Sequence, residues 1–215
     1  MDAVFDNMPL YLQGFGMTVM LLVVSGLAAL VIGTLIAAMR ISPVASLRGF
    51  ATVYTELVRN TPLTLVLFFC AFVLPQLGSR LDYSTAAIIG LSVYTSPFVA
   101  EALRSGVNGV PVGQAEAARS VGFGFSQTVG LIVLPQAFRM TIPPLINVFI
   151  ALTKNTSVAG GFFVVELFAV GRTLANANGD AVIPILLGVA TFYLLITVPL
   201  GFLAARLERR WVVQR

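Results

Sequence analysis

The chain of 215 residues contains no histidine, one cysteine and one lysine. Without histidine there is no His-based metal site and no Ser-His-Asp triad. The single cysteine, Cys70, lies in an apolar run, so no disulfide can close within the chain. The single lysine, Lys154, follows Leu152-Thr153 rather than a glycine, so the chain has no Gly-Lys-Ser/Thr phosphate loop and binds no ATP through one of its own. Charge is also scarce: 10% of the residues are Asp, Glu, Lys or Arg, where a soluble domain carries about 25%.

What is present is apolar. Hydrophobic residues make up 58% of the chain, and too little polar surface remains to cover a globule in water. The expected fold class is an all-α integral membrane protein with its apolar side chains in a lipid bilayer, one domain over 1–215. A crossing helix needs about 20 residues, and the charge-free stretches predict five spans at approximately 15–39, 61–78, 84–103, 140–160 and 181–205. Gly26, Ala29, Gly33 and Ala37 recur at helical spacing in the first, where small residues allow close helix packing in lipid. Pro97 is expected to kink the third.

Five spans put the termini on opposite sides. With the N-terminus outside, Arg40, Arg48, Arg59, Arg104, Arg119, Arg139, Arg206, Arg209, Arg210 and Arg215 face the cytoplasm, and only Arg80 and Arg172 lie outside. That asymmetry is a positive-inside signal. It places the C-terminus and the loop 106–135 in the cytoplasm. The net charge of +4 is spread over these loops; it speaks of orientation and implies no nucleic-acid partner.

The loop 106–135 is broken first by Gly106, Gly109, Pro111 and Gly113, and then turns helix-compatible from Glu116. A carboxylate at Glu116 suits a helix start. Ala117 and Ala118 give a small face, Gly122 permits a bend or a close backbone approach, and Pro135 is expected to end the unit. These residues fit a helix that docks into a groove of another protein. They fit an ordinary amphipathic connector equally well.

Three further constellations carry candidate function. In Lys154-Asn155-Thr156-Ser157, a cation in an apolar helix costs about 2.5–3.5 kcal/mol on insertion scales, so it should face protein or a water-filled cavity. Fifteen residues of helix from Arg139 rise about 22 Å, which puts Lys154 past the midplane, and Gly160-Gly161 would let the helix break there. The segment either lines a solute pathway or pairs Lys154 with a carboxylate of a partner. Thr61-Pro62 is either a hinge or gate, or simply a helix start. The stretch from Glu166 to Asp180 is either a docking surface for an external protein or an exposed loop. The spacings Glu56/Arg59 and Glu101/Arg104 suit local ion pairs.

The ordered set Glu116-Ala117-Ala118, Gly122 and Ile132-Val133-Leu134-Pro135 resembles the EAA loop of bacterial ABC importer permeases. Gly113-Gln114, Pro135-Gln136-Ala137, Pro143-Pro144-Leu145, Lys154-Asn155-Thr156-Ser157 and Glu56-Leu57-Val58-Arg59-Asn60-Thr61-Pro62 narrow the resemblance to permeases for polar amino acids of the histidine, glutamine and glutamate type, nearest to glutamate-type permeases. It covers about residues 10–210. The resemblance implies a type I importer permease fold in a bacterial cell membrane, crossing it several times, with a coupling helix between spans three and four. Partners would be ABC ATPase subunits, a second permease (similar or identical) and an extracytoplasmic solute-binding protein. ATP and Mg would be bound by the ATPase and no cofactor by this chain, which would be a transport subunit and no enzyme. Glu116, Ala117, Ala118, Gly122, Leu134 and Pro135 would couple to the ATPase; Thr61, Pro62 and Lys154 to Ser157 would belong to the substrate pathway. The rival from another class is an ATP-independent carrier or channel. It requires several intramembrane charges for ion coupling, and only Lys154 qualifies. A membrane enzyme is a third class, poorly served by a chain without histidine or clustered intramembrane carboxylates.

Overall fold

The computed structural model describes residues 2–212, with no strand among them; Arg215, counted above with the cytoplasmic arginines, lies outside the described residues. After one helical turn, Asp2–Phe5, the helices are α1 Met8–Arg40, α2 Ala45–Arg59, α3 Leu63–Gln76, α4 Tyr83–Asn108, α5 Val112–Ser120, α6 Phe125–Phe162, α7 Leu167–Ala177 and α8 Val182–Val212. Four of them, α1, α4, α6 and α8, are long and apolar enough to cross a membrane; α2 and α3, bent by 100° at their junction, make a fifth if the pair counts as one span.

The small residues of α1 set the central contact. A side chain on Gly33 would begin 2.6 Å from the Ser96 carbonyl oxygen and 2.6 Å from Val99 Cβ, so only glycine fits where α1 packs on α4. Ala29, Ala37 and Ala100 are buried along this seam. Leu21, Leu67, Leu91 and Leu152 then join α1, α3, α4 and α6 in one apolar cluster. A second cluster, with Tyr11, Leu167, Val170 and Ile185, locks α7 and α8 onto the start of α1. The Tyr11 hydroxyl donates to the Ile185 carbonyl at 2.9 Å.

Proline shapes the helices without breaking them. Pro97 lies inside the unbroken α4. Its missing N–H leaves the Val93 carbonyl without its helical donor. Ser96 Oγ and the Tyr54 hydroxyl of α2 donate to that oxygen instead, at 2.9 and 3.2 Å. Pro75 and Pro135 each follow a widened π-turn, Phe69–Val73 and Thr128–Val133. A wide turn relieves the ring's clash with the preceding turn. Pro135 therefore does not end the unit that the sequence suggests; it sits within the continuous α6, where Gln136 Nε2 donates to the Ile132 carbonyl at 2.8 Å.

The antiparallel connections give the bundle two chemically different ends. Arg40, Arg48, Arg59, Arg104, Arg119, Arg139, Arg206, Arg209 and Arg210 gather at the end where α1 stops and α5 sits. Arg80 and Arg172 lie at the opposite end with Asp6, Asp82, Glu166 and Asp180. There Asp82 caps α4, accepting from the backbone N–H of Ser84 and Thr85 at 3.1 and 3.2 Å; with the Thr85 hydroxyl these bonds hold its carboxyl below the usual carboxylate range.

Candidate functional site

The first candidate surface is α5. Its nine residues begin after Pro111 and stop in a Schellman turn. Gly122 N–H donates to the Arg119 carbonyl at 3.0 Å, and Phe123 N–H to the Ala118 carbonyl at 3.1 Å. Gly122 has φ +94°, a conformation that L side chains rarely adopt, so the glycine is what lets α5 end here. Ala118 is buried against the rest of the chain, whereas Glu116 and Ala117 face outward. Val112, Val121 and Phe125 are 73%, 75% and 79% exposed, an apolar rim around a small-faced helix. α5 leans on the π-turn Thr128–Val133, just before Leu134 and Pro135, which are themselves exposed. Glu116, Ala117 and Ala118 on α5, Gly122 in the turn that ends it, and Leu134 and Pro135 on α6 thus lie close along the chain at the arginine-rich end.

The second candidate is a cavity of about 450 Å³ between α4 and α6. Tyr94, Thr95 and Phe98 line it from α4; Pro144, Asn147, Ala151 and Asn155 line it from α6. The Thr95 hydroxyl is buried without a hydrogen-bond partner. A buried hydroxyl left unpaired costs about 1–3 kcal/mol, so such an atom invites a ligand or water. Asn147 and Asn155 add two amides two helical turns apart. Phe98 is itself held by Arg59, whose guanidinium carbon stands 5.6 Å from the centre of the ring.

The structure separates the members of the Lys154–Ser157 motif. Asn155 opens onto the α4–α6 cavity. Lys154 and Ser157 open onto a smaller cavity of about 240 Å³ toward α8, beside Leu186, Val189 and Tyr193. Among the described residues no carboxylate pairs with Lys154, and its side chain is exposed on this chain. Thr156 is buried and donates to the Thr153 carbonyl at 2.7 Å. From Thr156 to Phe162 α6 tightens into a 3₁₀ helix, ending at Phe163 with φ +63°. Thr61 and Pro62 sit at the α2–α3 bend. The Thr61 hydroxyl donates to the Leu57 carbonyl, and Pro62 opens α3 by accepting from Leu65 and Val66.

Two expected local ion pairs are not formed. Glu101 bonds to Arg40 of α1, with Arg59 of α2 at 3.8 Å, rather than to Arg104 one turn away. Arg59 reaches α4 instead of Glu56, whose carboxylate accepts from Asn60 at 3.5 Å. A shared acid on α4 clamps three elements; a local pair would hold only one. Spacing within one helix carries no sign of partners 61 residues apart. The sequence did carry a cue for the cavity: Pro144, Asn147, Ala151 and Asn155 fall at intervals of three and four, one polar-edged stripe along α6.

Beyond the cavities lies a buried carboxylate. Glu166 starts α7, accepting from Phe168 N–H at 2.8 Å, Ala169 N–H at 2.7 Å and the Tyr193 hydroxyl at 2.9 Å. Burial pushes its carboxyl above the usual carboxylate range, against the pull of these donors and of Arg172. The glutamate that opens the stretch 166–180 is therefore a buried joint between α6, α7 and α8 rather than a surface group.

Known proteins share this architecture. Residues 29–213 match the family described as "Binding-protein-dependent transport system inner membrane component". The chain is 42% identical to the glutamate transport system permease protein GluC of Corynebacterium efficiens, over 98% of this chain and 97% of that one. It is 41% identical to the probable glutamine ABC transporter permease protein GlnM of Bacillus subtilis, over 96% and 95%. Among solved structures, an amino acid ABC transporter crystallised with histidines superposes with a TM-score of 0.88 at 28% identity, covering 96% of each chain.

Proposed function

The chain belongs to the family of binding-protein-dependent transport system inner membrane components, and from that membership we propose that it forms the solute pathway of an ATP-driven importer for polar amino acids of the glutamate and glutamine class. It is a multi-pass permease of the inner membrane, of the amino-acid ABC transporter kind. In the proposed orientation the arginine-rich end, with α5, faces the cytoplasm and the N-terminus faces outward. ATP and Mg are held by separate ATPase subunits. A second permease completes the pathway, and an external binding protein delivers the solute.

The observation that carries this reading is the geometry of α5. It is short, exposed, rimmed by apolar side chains and anchored at both ends to membrane helices, through Gly109–Pro111 to α4 and through the Gly122 turn to α6. A protein that grips Glu116 and Ala117 and moves them moves α4 and α6 together. The α4–α6 cavity is the space such a movement opens or closes, and Thr95, Asn147 and Asn155 are the groups a polar solute would meet there. ATP and loaded binding protein must favour the same state of the permease, or neither drives the other.

The test is reconstitution in liposomes with an ATPase of the same transporter and a panel of ligand-loaded binding proteins. ATP hydrolysis is expected to rise with binding protein loaded with glutamine or glutamate. Solute uptake that proceeds without any ATPase would overturn the reading.

A further inference from the structure

α2 divides its surface into three sectors. Ala51 and Thr55 are buried against the bundle, and the half-buried Tyr54 ties α2 to α4 through its bonds to Val93 and Ser96. A second sector carries Phe50, Val53 and Leu57, which are 59%, 57% and 64% exposed. The third carries Arg48, Thr52, Glu56 and Arg59, all exposed. At 100° per residue these sectors stand roughly 120° apart. A helix wholly in water needs no exposed apolar stripe, and one wholly in lipid carries no charged stripe.

The depth of α2 agrees with that division. Ala51 packs with Ala37 and Ala100, one step from Arg40 and Glu101, where charge first interrupts α1 and α4. α3 runs along α4, with Leu67 beside Gly90. Its 14 residues rise about 21 Å, and residues 77–82 carry the chain on to the start of α4 at the opposite end. With the bend of 100°, α2 turns away from the bundle axis at the level where the apolar layer ends.

We propose that α2 is a membrane-surface helix at the arginine-rich end, with Phe50, Val53 and Leu57 set into the acyl boundary of the phospholipid leaflet and Arg48, Thr52 and Glu56 in the aqueous headgroup layer. Such a helix lies along the interface with its apolar face sunk into it. The bend at Asn60–Pro62 then marks where the chain leaves the interface and enters the membrane. This assignment is independent of which solute is carried.

The experiment places single nitroxide-labelled cysteines at Phe50, Val53, Leu57, Thr52 and Glu56 in a Cys70→Ala background, within the assembled transporter in phosphatidylcholine vesicles. Labels at Phe50, Val53 and Leu57 are expected to relax several-fold more with oxygen than with a water-soluble nickel chelate, and labels at Thr52 and Glu56 to show the reverse. Labels at Phe50, Val53 and Leu57 that are shielded from both relaxants would mean a protein neighbour covers the stripe, and would overturn the proposal; so would full access to the nickel chelate. The unsubstituted protein provides a second readout, since a phospholipid with an acyl-chain diazirine should cross-link to Phe50, Val53 or Leu57. Acyl-chain labelling confined to the other helices would overturn the proposal as well.

Discussion

Lys154 and Asn155 are consecutive in the chain but open onto different cavities, Asn155 between α4 and α6 and Lys154 against α8. Their roles are therefore separable. Asn155→Ala is expected to weaken uptake about tenfold or more, the worth of one or two hydrogen bonds, while the transporter still assembles. Lys154→Ala should act first on assembly of the permease pair, because a cation at membrane depth requires a covering partner. Parallel measurement of uptake and of complex recovery separates the two.

Thr95→Val removes the hydroxyl that is buried without a partner and keeps the side-chain shape. The isolated permease should hold or gain stability, by up to about 1 kcal/mol, since the desolvation cost disappears. Uptake should fall. Thermal unfolding in detergent and uptake in liposomes thus move in opposite directions, which a merely structural threonine would not produce.

The clamp of Arg40, Glu101 and Arg59 is asymmetric, with the Arg40 side chain 10% exposed and that of Glu101 31%. Glu101→Gln strands the buried guanidinium and should cost about 1–3 kcal/mol, between exposed and fully buried pairs. Combining it with Arg40→Met should recover part of that loss, and a double-mutant cycle on unfolding free energies measures the coupling.

Glu166 gives a pH signature. In the unfolded chain its carboxyl ionises at the usual value, and in the folded chain at a higher one. Its contribution to stability is therefore full at acid pH and falls as pH rises from the ordinary carboxylate range through the raised value. Glu166→Gln keeps an acceptor for Phe168 and Ala169 but cannot ionise, so its melting temperature should decline less over that interval than that of the wild type. Glu166→Ala removes the cap altogether and should cost about 1–3 kcal/mol at every pH.

Much of the architecture is legible in the order of residues because charge is so sparse. The empty interval from Asp6 to Arg40 can only be one long apolar helix, and α1 fills it. The small residues of α1 carry their own reason, the close approach of α4 at Gly33. Less legible is anything that depends on a distant partner. The stretch from Arg40 to Arg59 falls between two predicted spans, yet most of it forms the three-sided helix α2, whose inner face is defined only once α1 and α4 are in place. Pro135 reads as a stop, yet a widened turn accommodates it within α6. The carbonyl that Pro97 leaves free, that of Val93, is met by Tyr54, 39 residues upstream, which no local pattern announces. Of the cavity residues, Asn147 is a lone polar side chain in an apolar run and Thr95 one of a short polar group with Tyr94 and Ser96, and only packing shows that the two face one space.

The most direct test of the account is a disulfide cross-link from Ala117→Cys on α5, in a Cys70→Ala background, to a single cysteine in the cleft of the transporter's ATPase. The account predicts efficient cross-linking whose yield changes with ATP, and uptake that stops when the link is closed and resumes on reduction. No cross-link in an assembled, ATP-hydrolysing complex, or uptake undisturbed by a closed link, would contradict it.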